Sequence, residues 1–597
     1  MRRTLSLLLI TGIGSACGAD PHPGPVDGGA PTGDRGASGR AARIAALERD
    51  IASSPAAGLS VGFTTSFEKV FPDSPWGFSG HLGRVGQLAL ARNEYESIQL
   101  VLFPGRDVRG VRVEVGKLVG AGEGRIGPDV RVRAVGAVNL PTARLAGGRA
   151  GWHPDPLLPN QPVDLEAGHP QAFLLTVYAA PETAPGTYTA EIFVLGEGLA
   201  SSSRDLSVTV WGITLPSTPR FKSGHLGDWR LPDEMWPARL GYPPPSDEER
   251  LAHMLRIAEL GYANRLPPSG FLANGLDSWD RGPEGSTAYG FPTHDGDGDG
   301  RPSFDPRRTD ALIDFMLARG ANHFFIAITA DVDRLPGVAP GRRARLLEYL
   351  RDYVAHLRSR GLMDMAYVYN IDEPWGDAVG RAKRTHALIK DSVGADVRIM
   401  QNTNQDNSTI IAELLGYFDA LDINLGFHDV MAVPAYRRLR PGTLDELWWN
   451  INLWPDTHPN LFIEYPLIDA RIMGPLSYAH GVEGFEYWDV LFPPGIASYH
   501  PIAPDELRVR WDVDRRSLDG TLIYPGAGFE LHSSLRLESL RDGFEDLELL
   551  YLLEEASPGN ELLRVPIVGG LTDYEQDPAR VLSFREAVAR AISAATP

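Results

Sequence analysis

The chain is 597 residues long and contains one cysteine, Cys17. A single cysteine excludes a disulfide framework and any cysteine-based zinc cluster. Basic charge is also in short supply: 57 Lys and Arg face 77 Asp and Glu, for a net charge of −20. That balance excludes a general nucleic-acid binder, which needs a basic face for phosphate. Lysine is almost absent, with Lys69, Lys117, Lys222, Lys383 and Lys390 as the whole set. No stretch beyond the N-terminus reaches the roughly 18 apolar residues of a membrane span. The chain shows no Walker loop, no dinucleotide fingerprint after a strand and no His-Glu-x-x-His. It also shows no Gly-x-Ser-x-Gly in a strand–turn–helix context, so serine-hydrolase, nucleotide-binding and zincin chemistries lack support. What it does have is apolar mass: 43% hydrophobic residues, with 12 Trp, 19 Tyr and 22 Phe. That composition excludes a disordered chain, and the length predicts two to four domains. The 48 Pro and 64 Gly predict many turns and argue against a helical array.

Residues 1–17 read as a secretory signal of lipoprotein type. Met1-Arg2-Arg3 is basic, Leu5 to Ile13 is apolar, and small residues lead to Cys17. Cys17 is therefore expected to carry a lipid anchor, giving a secreted, membrane-anchored protein with no other membrane contact. Residues 18–58 read as a linker or stalk. Asp20 to Arg40 is rich in Pro, Gly, Asp and Ala, and a short helical pattern runs from Ala41 to Ile51.

Residues 59–216 have β texture. Val111-Arg112-Val113-Glu114-Val115 and Val130-Arg131-Val132-Arg133 alternate strictly, and Leu206 to Trp211 closes a set of short strands separated by Pro/Gly turns. The pattern predicts an antiparallel β-sandwich. From 217 to 597, strands and helices alternate, which predicts a (β/α)8 TIM-like barrel with C-terminal helices wrapping it. Its strands are expected near Gly224, His323–Ile328, Met365–Ile371, Val397–Met400, Ala420–Asn424, Trp448–Asn452 and Gly484–Trp488, with the Ile371 strand about the fourth. The fold class is thus α/β plus all-β.

Tyr369-Asn370-Ile371-Asp372-Glu373-Pro374-Trp375 concentrates the chemistry. An apolar strand ends in adjacent carboxylates and Pro374 halts regular structure. The C-terminal ends of barrel strands point into the active-site face. Two carboxylates there can divide acid and base roles, while Trp375 offers a platform for a sugar ring. A solvated Asp-Glu pair at a strand end is the plainer alternative. Other predicted strand ends supply Asn402, Asn404, Asp422, Asn424, Trp448, Trp449, Asn450, Asn452, Glu464, Tyr465, Glu486, Tyr487 and Trp488. Of these, Asn402, Asn404, Trp449, Asn452, Tyr465, Tyr487 and Trp488 are expected to contact an oligosaccharide or glycan, whose ring faces stack on aromatics and whose hydroxyls bond to amides. Asp469 and Arg471 are expected to pair internally, with binding of a substrate carboxylate as the alternative, and Glu538 to Asp546 to form an amphipathic packing helix with ion pairs. Asp295, Asp297 and Asp299 alternate with glycine like the opening of a calcium loop, but Pro306 stands where the closing Glu belongs. A structural Ca2+ and a plain acidic loop both stay open there. No cofactor is required by the carboxylate chemistry.

The ensemble resembles glycoside hydrolase family 123, the catalytic domain once called domain of unknown function 4091. The resemblance rests on Ala91-Arg92-Asn93-Glu94-Tyr95-Glu96, Ile371-Asp372-Glu373-Pro374, Pro466 to Ile472, Gly484 to Trp488, Tyr524-Pro525-Gly526 and Ser534 to Asp546. It implies a retaining, exo-acting β-N-acetylgalactosaminidase with substrate-assisted catalysis. It further implies that Glu373 is the general acid/base and that Asp372 orients the substrate's 2-acetamido group; no motif maps the aromatic hydroxyl that would hold that group, for which Tyr465 and Tyr487 are candidates. Adjacent carboxylates suit that mechanism, because no protein nucleophile has to face the other side of the ring. Two other readings remain open. One is a glycosidase on a 2-hydroxy sugar with Glu464 or Glu486 as nucleophile; the other is a non-catalytic surface glycan-binding protein.

Overall fold

The computed structural model describes residues 58–74, 83–120, 127–145, 148–199, 202–226, 246–269, 306–327, 340–369, 371, 373–403, 408–427, 446–452, 457–492, 499–513 and 517–595, with Ala45 and Arg49 as isolated positions. Cys17, Asp295, Asp297, Asp299, Asp372 and Asn404 lie outside the described residues.

Alternating sequence builds two six-stranded sheets. The first runs β1 (Leu59–Thr65), β3 (Glu94–Pro104), β9 (Gln171–Ala179), β6 (Val130–Leu140), with β7 (Gly151–Pro159) and β19 (Arg508–Val509) also on β6. The second runs β2 (Val85–Arg92), β11 (Ser202–Thr214), β10 (Gly186–Leu195), β4 (Val108–Val115), β8 (Val163–Leu165), with β5 (Val119–Gly120) on β10. All pairs are antiparallel except β2 with β11 and β6 with β19. On β4, Val111 and Val113 are buried while Arg112 and Glu114 are exposed, as a period of two demands. Phe63, Leu100 and Phe173 from one sheet share a core with Leu90, Ile192 and Val208 from the other.

A third sheet has seven strands, all parallel: β12 (Lys222–His225), β18 (Gly484–Tyr487), β17 (Glu446–Ile451), β16 (Ala420–Asn424), β15 (Arg398–Thr403), β14 (Ala366–Tyr369) and β13 (Phe324–Ala327). Helices α1 (Asp247–Ala263), α2 (Pro306–Leu317), α3 (Pro340–Ser359), α4 (Asp377–Ser392), α5 (Ser408–Leu414) and α6 (Leu467–His480) fall between the strands. Among the described residues the expected eighth strand is a three-residue bridge. The His225 N–H donates to Pro267 O (3.0 Å), the Ser269 N–H to His225 O (2.9 Å), and the Phe325 N–H to Ser269 O (2.7 Å). Pro267 and Pro268 carry no N–H, so this segment links both edge strands without forming a full ladder.

α7 (Leu535–Ala556) and α8 (Pro578–Ala595) complete the chain, with a short β20–β21 pair (Tyr524–Pro525, Leu531–His532) just before them. The expectation that both helices wrap a barrel is corrected for α8; α7 does pack Leu540, Phe544 and Leu547 into the core of the parallel sheet. α8 packs Val581, Phe584 and Val588 against Ala91, Ile213 and Leu215 of the second sheet and its flank. α7 is not amphipathic either: every residue from Leu535 to Leu550 is buried. It crosses α6 backbone to backbone. A Cβ on Gly543 would lie 2.2 Å from Arg471 O, and one on Gly474 would lie 1.7 Å from Gly543 O.

That close crossing fixes a buried charge network. Arg471 bonds Glu96 through two nitrogens (2.9 and 3.1 Å), Asp546 (2.9 Å) and Asp542 (3.3 Å). Asp469 is not its partner; it accepts from the Tyr574 hydroxyl instead (2.8 Å), which corrects the expected internal pair. Arg585 reaches Asp546 (2.7 Å) and Glu94, Arg541 bonds Asp542 (2.6 Å), Arg133 bonds Glu538 (2.7 Å), and Arg265 bonds Glu545 (3.3 Å). Six carboxyl groups thus meet five guanidinium groups. One proton balances the charge, and burial pushes the Glu545 carboxyl up to about 8 against the pull of Arg265 and Arg541. Between the ordinary carboxyl value and 8 the folded state holds a proton that the unfolded chain releases, so stability falls as pH rises through that window.

Two outcomes are expected. Arg471→Met leaves Glu96 and Asp546 short of a buried cation and costs about 3–5 kcal/mol in urea unfolding. Glu545→Gln mimics the protonated carboxyl, so its Tm at pH 8–9 matches or exceeds that of the wild type and its slope with pH flattens.

Candidate active site

The parallel sheet turns alternate side chains inward. Phe325, Tyr367, Tyr369, Met400, Ala420 and Trp448 form one cluster, with the Phe325 ring stacked on Tyr369 at 5.5 Å. Below them, at the N-terminal ends of the strands, Glu446 is gripped from three sides. Lys222 Nζ (2.6 Å), Arg398 Nη2 (2.7 Å) and the Tyr367 hydroxyl (2.5 Å) all donate to it, and the Trp448 indole adds a fourth bond (3.0 Å). Burial alone would raise this carboxyl; Lys222 and the hydrogen bonds hold it down at about 2. The cluster plugs that end of the sheet.

At the C-terminal ends the same inward positions become polar. They carry Asn402, Asp422, Asn424, Asn450, Asn452 and Glu486. Asn450 Nδ2 donates to Asp422 Oδ2 (2.9 Å) and Asn424 Nδ2 to Asn452 Oδ1 (3.2 Å). Asp422 and Asn424 have no exposed surface, and Glu486 is buried. Such a floor presents fixed amides and carboxylates to a hydroxyl-rich ligand without a large basic field.

β14 delivers the acidic pair's glutamate over this floor. Glu373 is half-buried with a left-handed backbone (φ +40°), its N–H donating to Asn402 Oδ1 on β15 (2.8 Å). Gln401 Nε2 donates to Ile371 O two residues earlier (2.9 Å). Pro374 is buried, and Trp375 is 64% exposed just before α4 begins. A non-glycine residue at positive φ costs about 1–3 kcal/mol and persists only where its surroundings over-determine it.

The other sequence-based candidates divide. Asn452, Tyr465 and Trp488 lie at or just beyond the C-terminal side of the sheet, with Tyr465 against Phe462 (5.3 Å) and Trp488 against Phe492 (5.0 Å). Trp449 and Tyr487 are corrected. They sit on the outer faces of β17 and β18, fully buried between sheet and helices. The Tyr487 hydroxyl is spent on Asp519 (2.9 Å) and the Gly520 N–H (2.8 Å). Glu464 is corrected as a nucleophile: it accepts from the Arg144 N–H (2.8 Å), the Leu145 N–H (3.2 Å) and the Ser517 hydroxyl (2.6 Å), tying the β6–β7 connection to this region. Counting by two from Trp448 reaches Glu446, and from Met400 reaches Asn402, whereas no local signal marks Gln401. Among the described residues no cluster of three His, Cys, Asp or Glu side chains could hold a metal ion.

A cavity of about 330 Å³ lies at the opposite, N-terminal side, lined by Tyr95, Tyr178, Arg265, Arg319 and His323 among others. His323 Nε2 takes the Ser269 hydroxyl (2.9 Å), while Nδ1 faces Asn322 Oδ1 (2.9 Å). Asn322 spends its Nδ2 on Pro219 O and Phe221 O, so its oxygen receives the ring N–H and His323 is neutral. Burial pushes His323, like His225, down to about 3. The folded state therefore binds fewer protons than the unfolded chain from pH 6.5 down to 3, and stability is lost as pH falls through that range. His323→Gln is expected to flatten this acid limb in Tm measured from pH 7 to 4. Glu464→Gln is expected to keep kcat within about threefold while lowering Tm, since it removes an acceptor rather than a reacting group.

Residues 332–553 match the family model described as the glycoside hydrolase 123 catalytic domain. A family 123 glycoside hydrolase from Clostridium perfringens, solved for its hydrolysis of glycolipid glycans, aligns with a TM-score of 0.61 and 13% identity over 90% of this chain and 97% of its own. At that identity the likeness is one of fold. A Bacteroides ovatus GH5 xyloglucanase aligns over 81% of this chain and 100% of its own, with a TM-score of 0.27 and 9% identity. No match was found among curated proteins.

Proposed function

We propose, from the match of residues 332–553 to the glycoside hydrolase 123 catalytic-domain model, a secreted, retaining exo-β-N-acetylhexosaminidase of the β-N-acetylgalactosaminidase kind. In this reading the two N-terminal sheets are a β-sandwich, and the parallel sheet with its 267–269 bridge is a (β/α)8 barrel in which β14 is the fourth strand. The observation that carries the proposal is the placement of Glu373. It stands half-buried at the C-terminal end of a parallel strand, beside a floor of amides and carboxylates.

Glu373 protonates the glycosidic oxygen as the bond to the anomeric carbon breaks. The carbonyl oxygen of the substrate's own 2-acetamido group attacks that carbon, and Asp372 orients the amide and stabilises its developing charge. Glu373, now a carboxylate, takes a proton from water as that water opens the cyclic intermediate, so configuration is retained. Asn404, Asn452, Tyr465 and Trp488 are assigned to the terminal sugar and Trp375 to the leaving-group side. No cofactor enters the reaction. Cys17 is assigned as the lipid anchor, and Asp295, Asp297 and Asp299 as a loop open to Ca2+.

A 2-hydroxy-sugar glycosidase remains as a second reading, because Glu486 is a second inward carboxylate. Aryl β-N-acetylgalactosaminide and N-acetylglucosaminide hydrolysis tests the first reading. Glu373→Gln is expected to lower kcat by about 10²–10⁴-fold, and Asp372→Asn to impair 2-acetamido substrates strongly. A thiazoline mimic of the cyclic intermediate should inhibit. Full activity of Glu373→Gln overturns the assignment, and insensitivity to the thiazoline favours the Glu486 reading.

A further inference from the structure

The backbone around the acidic pair is held by two consecutive amides of the neighbouring strand. Gln401 donates from Nε2 to the Ile371 carbonyl (2.9 Å), and Asn402 accepts the Glu373 N–H at Oδ1 (2.8 Å). The two partners settle both amide orientations: a carbonyl needs the NH2 of Gln401, and an N–H needs the oxygen of Asn402. Both side chains are buried. Adjacent residues on a strand point to opposite faces, so the pair reaches the turn from two sides.

The turn itself is in tension. Glu373 adopts φ +40° with a side chain, and the next residue is Pro374, which disfavours the helical region for the residue before it. Pro374 also has no N–H, so the turn cannot be closed by a bond from that position. Glycine would take such a backbone freely, but glycine carries no carboxyl. The external bonds from β15 supply what local preference does not.

We propose that Gln401 and Asn402 are a positioning pair that holds the backbone at Ile371 and at Glu373 and thereby aims the Glu373 carboxyl at the leaving-group oxygen. Asn402 is thus removed from the set of direct sugar contacts and acts through Glu373. The inference rests on the reading of Glu373 as general acid, and it separates from that reading in its test.

The test uses the full chain with Asn402→Ala, Asn402→Asp and Gln401→Met. Asp keeps an acceptor oxygen for the Glu373 N–H; Ala does not. Hydrogen exchange measured on peptides spanning 366–380 should show the Glu373 amide exchanging about tenfold or more faster in Asn402→Ala, and near the wild-type rate in Asn402→Asp. Kinetics on aryl β-N-acetylgalactosaminides of graded leaving-group pKa give the second readout. Asn402→Ala should lose about 10²-fold in kcat on the poorest leaving group and little on a dinitrophenolate, with KM within about threefold. Asn402→Asp should recover part of kcat and move the alkaline limb of the pH profile upward, since a new carboxylate beside Glu373 disfavours its ionisation. Gln401→Met should show the same leaving-group trend at smaller amplitude.

Unchanged exchange in Asn402→Ala overturns the proposal, whatever the activity. So does a loss of equal size across all leaving groups, which would mark Asn402 as a sugar contact. If the wild type cleaves none of these glycosides, the glycosidase reading fails while the exchange result still decides whether Asn402 holds the turn.

Discussion

The Arg471 guanidinium joins the three main parts of the molecule. It projects from α6, bonds Glu96 of the first sheet and bonds Asp542 and Asp546 of α7. It can do so because Gly474 and Gly543 let the two helices touch at their backbones. In a low-dielectric interior an ion left without its partner is expensive, so every member of this network constrains the others. α6 connects β17 to β18, the strands that bring Asn450, Asn452 and Glu486 to the polar floor. Order at the floor therefore depends on a contact made on the far side of the helix layer.

The same sheet has opposite chemistry at its two ends, and the period of two explains how. Moving along β17, the inward positions are Glu446, Trp448, Asn450 and Asn452. The first is locked in ion pairs, the second fills the middle, and the last two face the open end. β16 runs from Ala420 through Asp422 to Asn424 in the same manner. One strand direction thus sorts structure from chemistry without a change in composition, as parallel strands with a working C-terminal face require.

Much of this was legible in the sequence because strand ends announce themselves. Ala420–Asn424 is found where alternation predicts it, and the strand expected to run to Ile371 ends at Tyr369, shortly before Pro374. Adjacent aromatics were not legible in the same way. Trp448 and Trp449 are equivalent by composition, and only the register decides that Trp448 faces inward and Trp449 outward. Tyr487 failed for a related reason, since its partner Asp519 comes 32 residues later through no local signal. The eighth strand position was hidden by two prolines. Arg471 and Glu96 lie 375 residues apart, so the pairing of Arg471 with Asp469 was the natural local guess. The helical spacing of the α7 motif residues predicts one buried face; their burial on every side is a property of the assembled layers and not of the helix.

The locked Glu446 cluster also bears on how a reaction here would finish. A socket sealed at its base has one opening, and whatever sits deepest departs last. In the proposed reaction the leaving group would sit nearer the opening, beside exposed Trp375, and the sugar on the buried amides. Release in the proposed reaction would then be sequential, aglycone first and sugar second. Free monosaccharide at high concentration would compete with fresh substrate for the same seat.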